Sequence, residues 1–260
     1  MEINKTRIQK IMKTFEEYLS EIGGLSYEYN DKYRVTSPKD FEVESGWYPL
    51  LYDLIKELVD NGWDKTITQV KEKFGGLRFY ISTYNESLDG IIGKYEKLSY
   101  QTCECCGEPG KIRNDIGWYR TLCDKHHKFY LNNKIKLSFD FDGTLSLPSV
   151  EEFVKELIEQ GYNVYITTSR VNDSTSYQPW TDSESNKDIW ELCDRIGLNK
   201  YNVNFTAHDD KINFLRGKNF LFHLDDDIYE LIEIMTDIDT VNPLNVGHSD
   251  WKLNCLELLK

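Results

Sequence analysis

Asp140-Phe141-Asp142-Gly143-Thr144-Leu145 sets two carboxylates two residues apart, directly after the apolar-alternating run 135–139. The alternation predicts a strand, and the Gly-Thr pair lets the chain leave it sharply. Two carboxylates at the end of a strand suit a metal-assisted nucleophile and its acid/base partner. The reaction class this points to is phosphoryl transfer through an aspartate. An EF-hand calcium loop is a poorer reading, because Gly143 comes too early for that spacing.

A second group of residues carries metal chemistry of another kind. Four of the six cysteines fall within 21 residues, and Cys193 and Cys255 stand apart. Cys103-x2-Cys106-Gly107 forms a knuckle, and Cys123-x2-His126 supplies a second pair. Three thiolates and one imidazole at these spacings match a closed structural Zn²⁺ site. Cys105 and His127 lie close enough in register to substitute for a neighbour. Four protein ligands leave no open position, so the expected zinc is structural.

Elements must position both groups. From Lys134 onward, strands are predicted over 135–141, 162–168, 202–206, 219–224 and 239–246, and helices over 149–160, 187–196, 210–217 and 228–235. That alternation predicts an α/β fold with a Rossmann-like, mostly parallel sheet. Ligands of such sheets bind beyond the carboxyl ends of the strands. The polar stretch 171–186 predicts a loop over that edge, with Tyr177 and Trp180 as candidates to stack on a base.

Residues 1–133 predict a small α+β zinc-binding domain. A helix over 5–20 aligns Ile8, Ile11, Met12, Phe15 and Leu19. Residues 25–46 read as irregular. Pro49 opens a second helix, with Leu50, Leu51, Leu54, Ile55 and Leu58 as its apolar stripe. A hairpin over 66–82 turns at Gly75-Gly76, a third helix spans 88–98, a short hairpin follows over 111–121, and a short helix covers 124–133.

The charge is divided unevenly. Residues 1–133 hold 19 Lys/Arg against 21 Asp/Glu, a net of −2, whereas 134–260 hold 12 against 23, a net of −11. The second half therefore repels long polyanions, while a small phosphate ester or a single strand end remains compatible. At 13% aromatic residues the chain is richer in large apolar groups than disordered sequences are. No apolar run reaches the roughly 18 residues of a membrane span, and the polar start 1–7 is unlike a signal peptide. A cytoplasmic protein is expected, in the host cytoplasm if phage-encoded.

Four features fall in order at predicted strand ends: Asp140 to Thr144, then Thr167-Thr168-Ser169-Arg170, then Lys211 at a helix start, then Asp225-Asp226-Asp227. Together they resemble the four motifs of the haloacid dehalogenase-like (HAD) phosphohydrolases, over residues 134–250. The resemblance implies that Asp140 is the nucleophile and Asp142 the general acid and then base. It implies that Thr168 hydrogen-bonds the phosphate and Lys211 balances its charge, with Arg170 and Thr144 as further substrate contacts. Asp140, a backbone carbonyl of Asp142, Asp225 and Asp226 would hold a catalytic Mg²⁺. Simple chemistry agrees: a carboxylate attacks a phosphate dianion only when charge is neutralised, and Mg²⁺ takes oxygen ligands.

About 25 residues separate the first two motifs, too few for the inserted cap domain of many relatives. Capless relatives act on large substrates, and the Thr-Ser-Arg and Phe-His-Leu-Asp-Asp segments are similar to the phosphatase part of phage polynucleotide kinase-phosphatases. The expected substrate is a nucleotide or nucleic-acid end.

Trp47-Tyr48-Pro49-Leu50, the segment 71–80, the knuckle and Gly117-Trp118 to Leu122-Cys123 resemble an uncharacterised zinc-binding module of phage and bacterial proteins, over residues 45–130. Lys71, Lys73, Arg78, Phe79 and Tyr80 are candidates to touch nucleic acid. A second reading of the whole chain is a zinc-ribbon adaptor whose HAD-like half is a non-catalytic scaffold or phosphate sensor.

Overall fold

A computed structural model describes residues 2–83, 85–172, 186–236 and 241–260. Tyr177 and Trp180 lie outside the described residues. The chain divides into two units, Met1–His127 and Lys128–Lys260. Among the described residues no helix is long and apolar enough to cross a membrane.

The first unit builds a four-stranded sheet on three helices. In chain order it holds α1 (Glu2–Glu21), β1 (Leu25–Tyr27), β2 (Asn30–Val35), α2 (Tyr48–Asp60), β3 (Thr66–Lys73), β4 (Gly76–Ile81), α3 (Glu86–Ser99), β5 (Lys111–Arg113) and β6 (Arg120–Leu122). The sheet order is β2-β1-β3-β4, and β5-β6 form a separate ribbon. Phe15, Leu19, Trp47, Leu51, Leu54, Ile55, Leu58, Val70 and Phe79 are among the buried residues of its core. Residues 25–46, irregular by sequence pattern, contain β1 and β2. They hide from a periodicity scan because the strands are short and β2 is a polar edge strand. The β3–β4 turn centres on Phe74 and Gly75, one residue earlier than expected. Both have positive φ, 52° and 78°, as a two-residue hairpin turn of the I′ kind requires. Gly76 is required for another reason, since a Cβ there would collide with the Tyr100 ring.

Helix α4 (Asp124–Asn132) leads into the second unit. There β7 (Lys136–Phe139), α5 (Pro148–Glu159), β8 (Asn163–Thr168), α6 (Lys187–Ile196), β9 (Val203–Phe205), α7 (Lys211–Leu215), β10 (Phe220–Asp225), α8 (Ile228–Met235), β11 (Asn242–Asn245) and α9 (Trp251–Leu258) follow. Every pairing in the five-stranded sheet, order β11-β10-β7-β8-β9, is parallel. The architecture is mixed α/β and Rossmann-like. The sheet is apolar because both faces are covered. Leu137, Phe139, Val164, Ile166, Phe222 and Leu224 pack with α5, α6 and α9. Ile212, Leu215, Phe220 and Ile234 form a smaller cluster with α7 and α8. Helix α9 lies beyond the elements expected from sequence, because its apolar residues are spread around the helix and give no one-sided stripe.

Topology decides where chemistry can happen. From β7 the chain moves through β8 to β9 on one side, then crosses back to β10 and β11 on the other. The crevice at such a reversal, beyond the carboxyl ends of the two central strands, is the usual ligand site of these sheets. Here it lies between β7 and β10.

Candidate active site and metal cluster

Asp140 follows β7, and Asp225 ends β10. The two strands stay paired to that point, with Asp140 N donating to Leu224 O at 2.9 Å. Lys211, at the start of α7, bridges them. Its Nζ donates to Asp140 Oδ1 at 2.8 Å and to Asp225 Oδ2 at 2.7 Å. All three side chains are buried. One carboxylate oxygen each from Asp140, Asp225 and Asp226 lie within 4.8 Å of one another.

Burial pushes Asp140 up to about 7, because desolvation outweighs the Lys211 ammonium and the Asp225 charge adds to the rise. Desolvation also acts on Asp225, but His223 and Lys211 hold it down at about 2. Desolvation disfavours the Lys211 ammonium, yet its two carboxylates keep it above its ordinary value. The resting site therefore holds Lys211⁺ and Asp225⁻, with Asp140 as the carboxyl that gains a proton first.

The exit from β7 is built for close approach. Gly143 has φ 73°, and a Cβ there would collide with the Asp226 carboxylate. Thr144, expected at the substrate, is fully buried, and its hydroxyl donates to Asp226 Oδ1 at 3.2 Å. Thr168 is buried at the end of β8, and its Oγ1 accepts from Arg170 N at 3.4 Å. Asp142 points outward and is held by Arg170, whose Nε and Nη2 donate to its two oxygens at 2.7 and 2.6 Å.

Sequence pattern assigns no role to the polar residues beneath Asp225. His223 Nε2 lies 2.9 Å from Asp225 Oδ2, and Nδ1 lies 2.9 Å from Ser138 Oγ, itself 3.0 Å from Thr167 Oγ1. Desolvation lowers the His223 pKa below its usual value, so the ring is neutral. An ionised carboxylate only accepts, so Nε2–H donates to Asp225 and Nδ1 accepts from Ser138. Strand alternation is the signal that could have found it: His223 and Asp225 are two apart and share a face of β10.

In the first unit, Cys103, Cys106, Cys123 and His126 bring their sulfur and nitrogen atoms within 4.8 Å of one another. Cys106 Sγ and Cys123 Sγ are 3.8 Å apart, and His126 Nδ1 is 3.5 Å from Cys103 Sγ and 3.2 Å from Cys123 Sγ. Tetrahedral zinc with bonds of about 2.3 Å to sulfur and about 2.0 Å to nitrogen sets ligand atoms about 3.8 and 3.5 Å apart. The cluster therefore fits a metal such as zinc. His127, the alternative ligand, instead pairs through Nε2 with Asp115 Oδ1 at 2.8 Å. The knuckle sits on Gly46, where a Cβ would collide with the Cys103 carbonyl. Trp47 Nε1 donates to Thr102 O at 2.8 Å.

Of the residues expected to touch nucleic acid, Phe79 is buried in the core, and Arg78 turns to Tyr100 Oη at 2.5 Å and to Leu77 O at 2.7 Å. Tyr80 stays 43% exposed, and further exposed aromatics lie beside Lys73. Phe74 (63% exposed), Trp118 (68%) and Tyr119 line a cleft of about 290 Å³ with Glu72, Lys73 and Gly117.

Comparison with protein-family models, curated proteins and solved structures finds no match to this chain.

Proposed function

We propose that the second unit is a Mg²⁺-dependent phosphomonoesterase of the HAD type, acting on a nucleotide or nucleic-acid end. The observation that carries this reading is Lys211, buried between Asp140 and Asp225 at the crossover crevice with Asp226 alongside. Asp140, Asp225 and Asp226, with the Asp142 carbonyl, offer only oxygen, which suits Mg²⁺. When bound, the ion supplies positive charge to the phosphoryl oxygens.

The chain's own residues do the rest. An Asp140 oxygen attacks phosphorus, and the bond from phosphorus to the leaving oxygen breaks. Asp142, once it has taken up a proton from solvent, passes it to that oxygen. The product is an aspartyl-phosphate on Asp140. Asp142, now a carboxylate, takes a proton from water as the water oxygen attacks the same phosphorus. Asp140 leaves, and inorganic phosphate is released. Lys211 offsets charge at the nucleophile throughout, and Thr168 orients the phosphate. Between β7 and β8 the chain holds only a tight turn and α5. That absence of an inserted cap favours a large substrate.

The test is release of phosphate from p-nitrophenyl phosphate, and from 3′- and 5′-phosphorylated oligonucleotides, with Mg²⁺. Asp140→Asn should abolish it. Full activity in that variant rules out the assigned mechanism.

A second reading is a zinc-containing adaptor whose second unit is a scaffold or phosphate sensor. The exposed cleft of Phe74, Trp118 and Tyr119 favours a binding role for the first unit. A biological effect kept in Asp140→Asn but lost in Cys106→Ser would select it.

A further inference from the structure

Among the described residues, Arg170 carries two carboxylates. Besides its bonds to Asp142, its Nη1 and Nη2 donate to the two oxygens of Asp188 at 2.7 and 2.9 Å. The guanidinium carbon also lies 4.8 Å from the centre of the Phe141 ring. One bidentate carboxylate already neutralises a guanidinium. A phosphoryl group that arrives as a third anion must displace one of the two.

The mounting of each acid decides which one leaves. Asp188 stands in the first turn of α6, where Ile189 N donates to its Oδ1 at 3.0 Å and the helix dipole favours its charge. Asn186, one residue before the helix, is buried, and its Nδ2 donates to Val171 O at 3.0 Å. That bond ties the start of α6 to the residue after Arg170. Ile189 and Trp190 anchor the same turn in the core. On the other side, Ala207 N donates to Arg170 O at 3.1 Å and His208 N to Ser169 O at 2.9 Å. Asp142 has no such mount. It sits on the turn before Gly143 with its side chain 58% exposed, and among the described residues its carboxylate is bonded to Arg170 alone.

We propose that Asp188 is a positioning residue: it holds Arg170 at the mouth of the site while the guanidinium passes from Asp142 to the phosphoryl oxygens of the substrate. Both Asp142 oxygens accept from Arg170 at rest, so this exchange frees the carboxylate to take up the proton that it passes to the leaving oxygen. No covalent bond changes in it. The inference rests on the phosphatase reading.

The experiment is steady-state hydrolysis of p-nitrophenyl phosphate by the full chain with Mg²⁺, with inorganic phosphate as inhibitor. Asp188→Ala should raise KM and the phosphate inhibition constant roughly tenfold, within the range for side chains sharing one ion-pair network, with a smaller change in kcat. Asp188→Glu should recover part of the loss. In an Arg170→Met background, Asp188→Ala should change neither constant; Arg170→Gln serves if Arg170→Met does not fold. Unchanged KM in Asp188→Ala, or effects that add to those of the Arg170 variant, overturn the inference and leave the phosphatase reading standing. No phosphate release by the unmodified chain overturns both.

Discussion

His223 Nε2 lies 2.9 Å from Asp225 Oδ2, and both side chains are fully buried. The same oxygen receives Lys211 Nζ, and Oδ1 accepts from Asp227 N at 2.9 Å. Three donors fix the carboxylate before any ligand arrives. Those donors keep the carboxylate ionised in a site that otherwise penalises charge, as the proposed cation site requires. His223 is itself held by Ser138 on the neighbouring strand β7, so the orientation of Asp225 is set by the two strands that form the crevice.

His223→Phe keeps the ring shape and removes both hydrogen-bonding nitrogens. Asp225 loses a donor in a buried site, and Ser138 keeps only Thr167 as a partner. A loss of about 2–4 kcal/mol is expected, read from denaturant unfolding. Mg²⁺ affinity by calorimetry should fall by about tenfold or more, as when a partner behind a metal ligand is removed. Unchanged affinity would show that Lys211 and the Asp227 amide orient Asp225 unaided.

Gly143→Ala tests the turn between Asp142 and Thr144. The position has positive φ, and its face lies against Asp226. Alanine adds backbone strain of about 1 kcal/mol and forces Asp226 away. A modest fall in Tm with a large loss of Mg²⁺ affinity is expected. A fall in Tm alone would mean that Asp226 relocates without leaving the cluster.

Much of the second unit is legible in the sequence because chemistry and periodicity coincide there. Strands β7, β8 and β10 are short, largely apolar runs that end in or run into a polar residue, so the amino-acid pattern by itself places Asp140, Thr168 and Asp225 at strand ends. Lys211 stands out only by its place in that order. What sequence hides is direction. Thr144 turns under Asp226, and Arg78 turns inward to Tyr100, because the packing of neighbours distant in the chain decides where a side chain points. His223 escapes notice because a histidine inside an apolar strand has no fixed meaning until its cross-strand partner is known. Asp188, on the far side of residues 173–185, becomes relevant only once α6 is seen beside the exit of β8. The hairpin β1–β2 is hidden for a different reason, since a polar edge strand carries little alternation.

The Cys₃His cluster predicts a stability that depends on metal. One equivalent of zinc per chain is expected by elemental analysis. Removal with a strong chelator should unfold the first unit, whose knuckle carries few apolar residues of its own; binding in structural zinc sites is worth about 10 kcal/mol or more. Cys123→Ser should do the same. His127→Ala should leave the zinc content unchanged, since His127 pairs with Asp115. Loss of zinc in His127→Ala would reassign the fourth ligand.

Lys211→Met separates the lysine from the metal. The substitution keeps the length of the side chain and removes the charge that holds Asp140 and Asp225 together. Breaking a buried pair from one side typically costs about 3–5 kcal/mol, so without divalent metal the variant should unfold well below the unmodified chain. Part of that cost is relieved by protonation of Asp140, the carboxyl already pushed up to about 7. Mg²⁺ can supply the missing charge through the same carboxylates. Saturating metal stabilises a folded state by about 2.7 kcal/mol at a hundred times its dissociation constant, and tighter binding to the more negative site enlarges that gain. The rise in Tm with Mg²⁺ should therefore be larger in Lys211→Met than in the unmodified chain, while phosphate release stays at background because the charge beside the proposed nucleophile is gone. Equal Mg²⁺ effects in the two proteins would mean that ion and lysine do not share Asp140 and Asp225, and the proposed metal site would have to move away from the crevice.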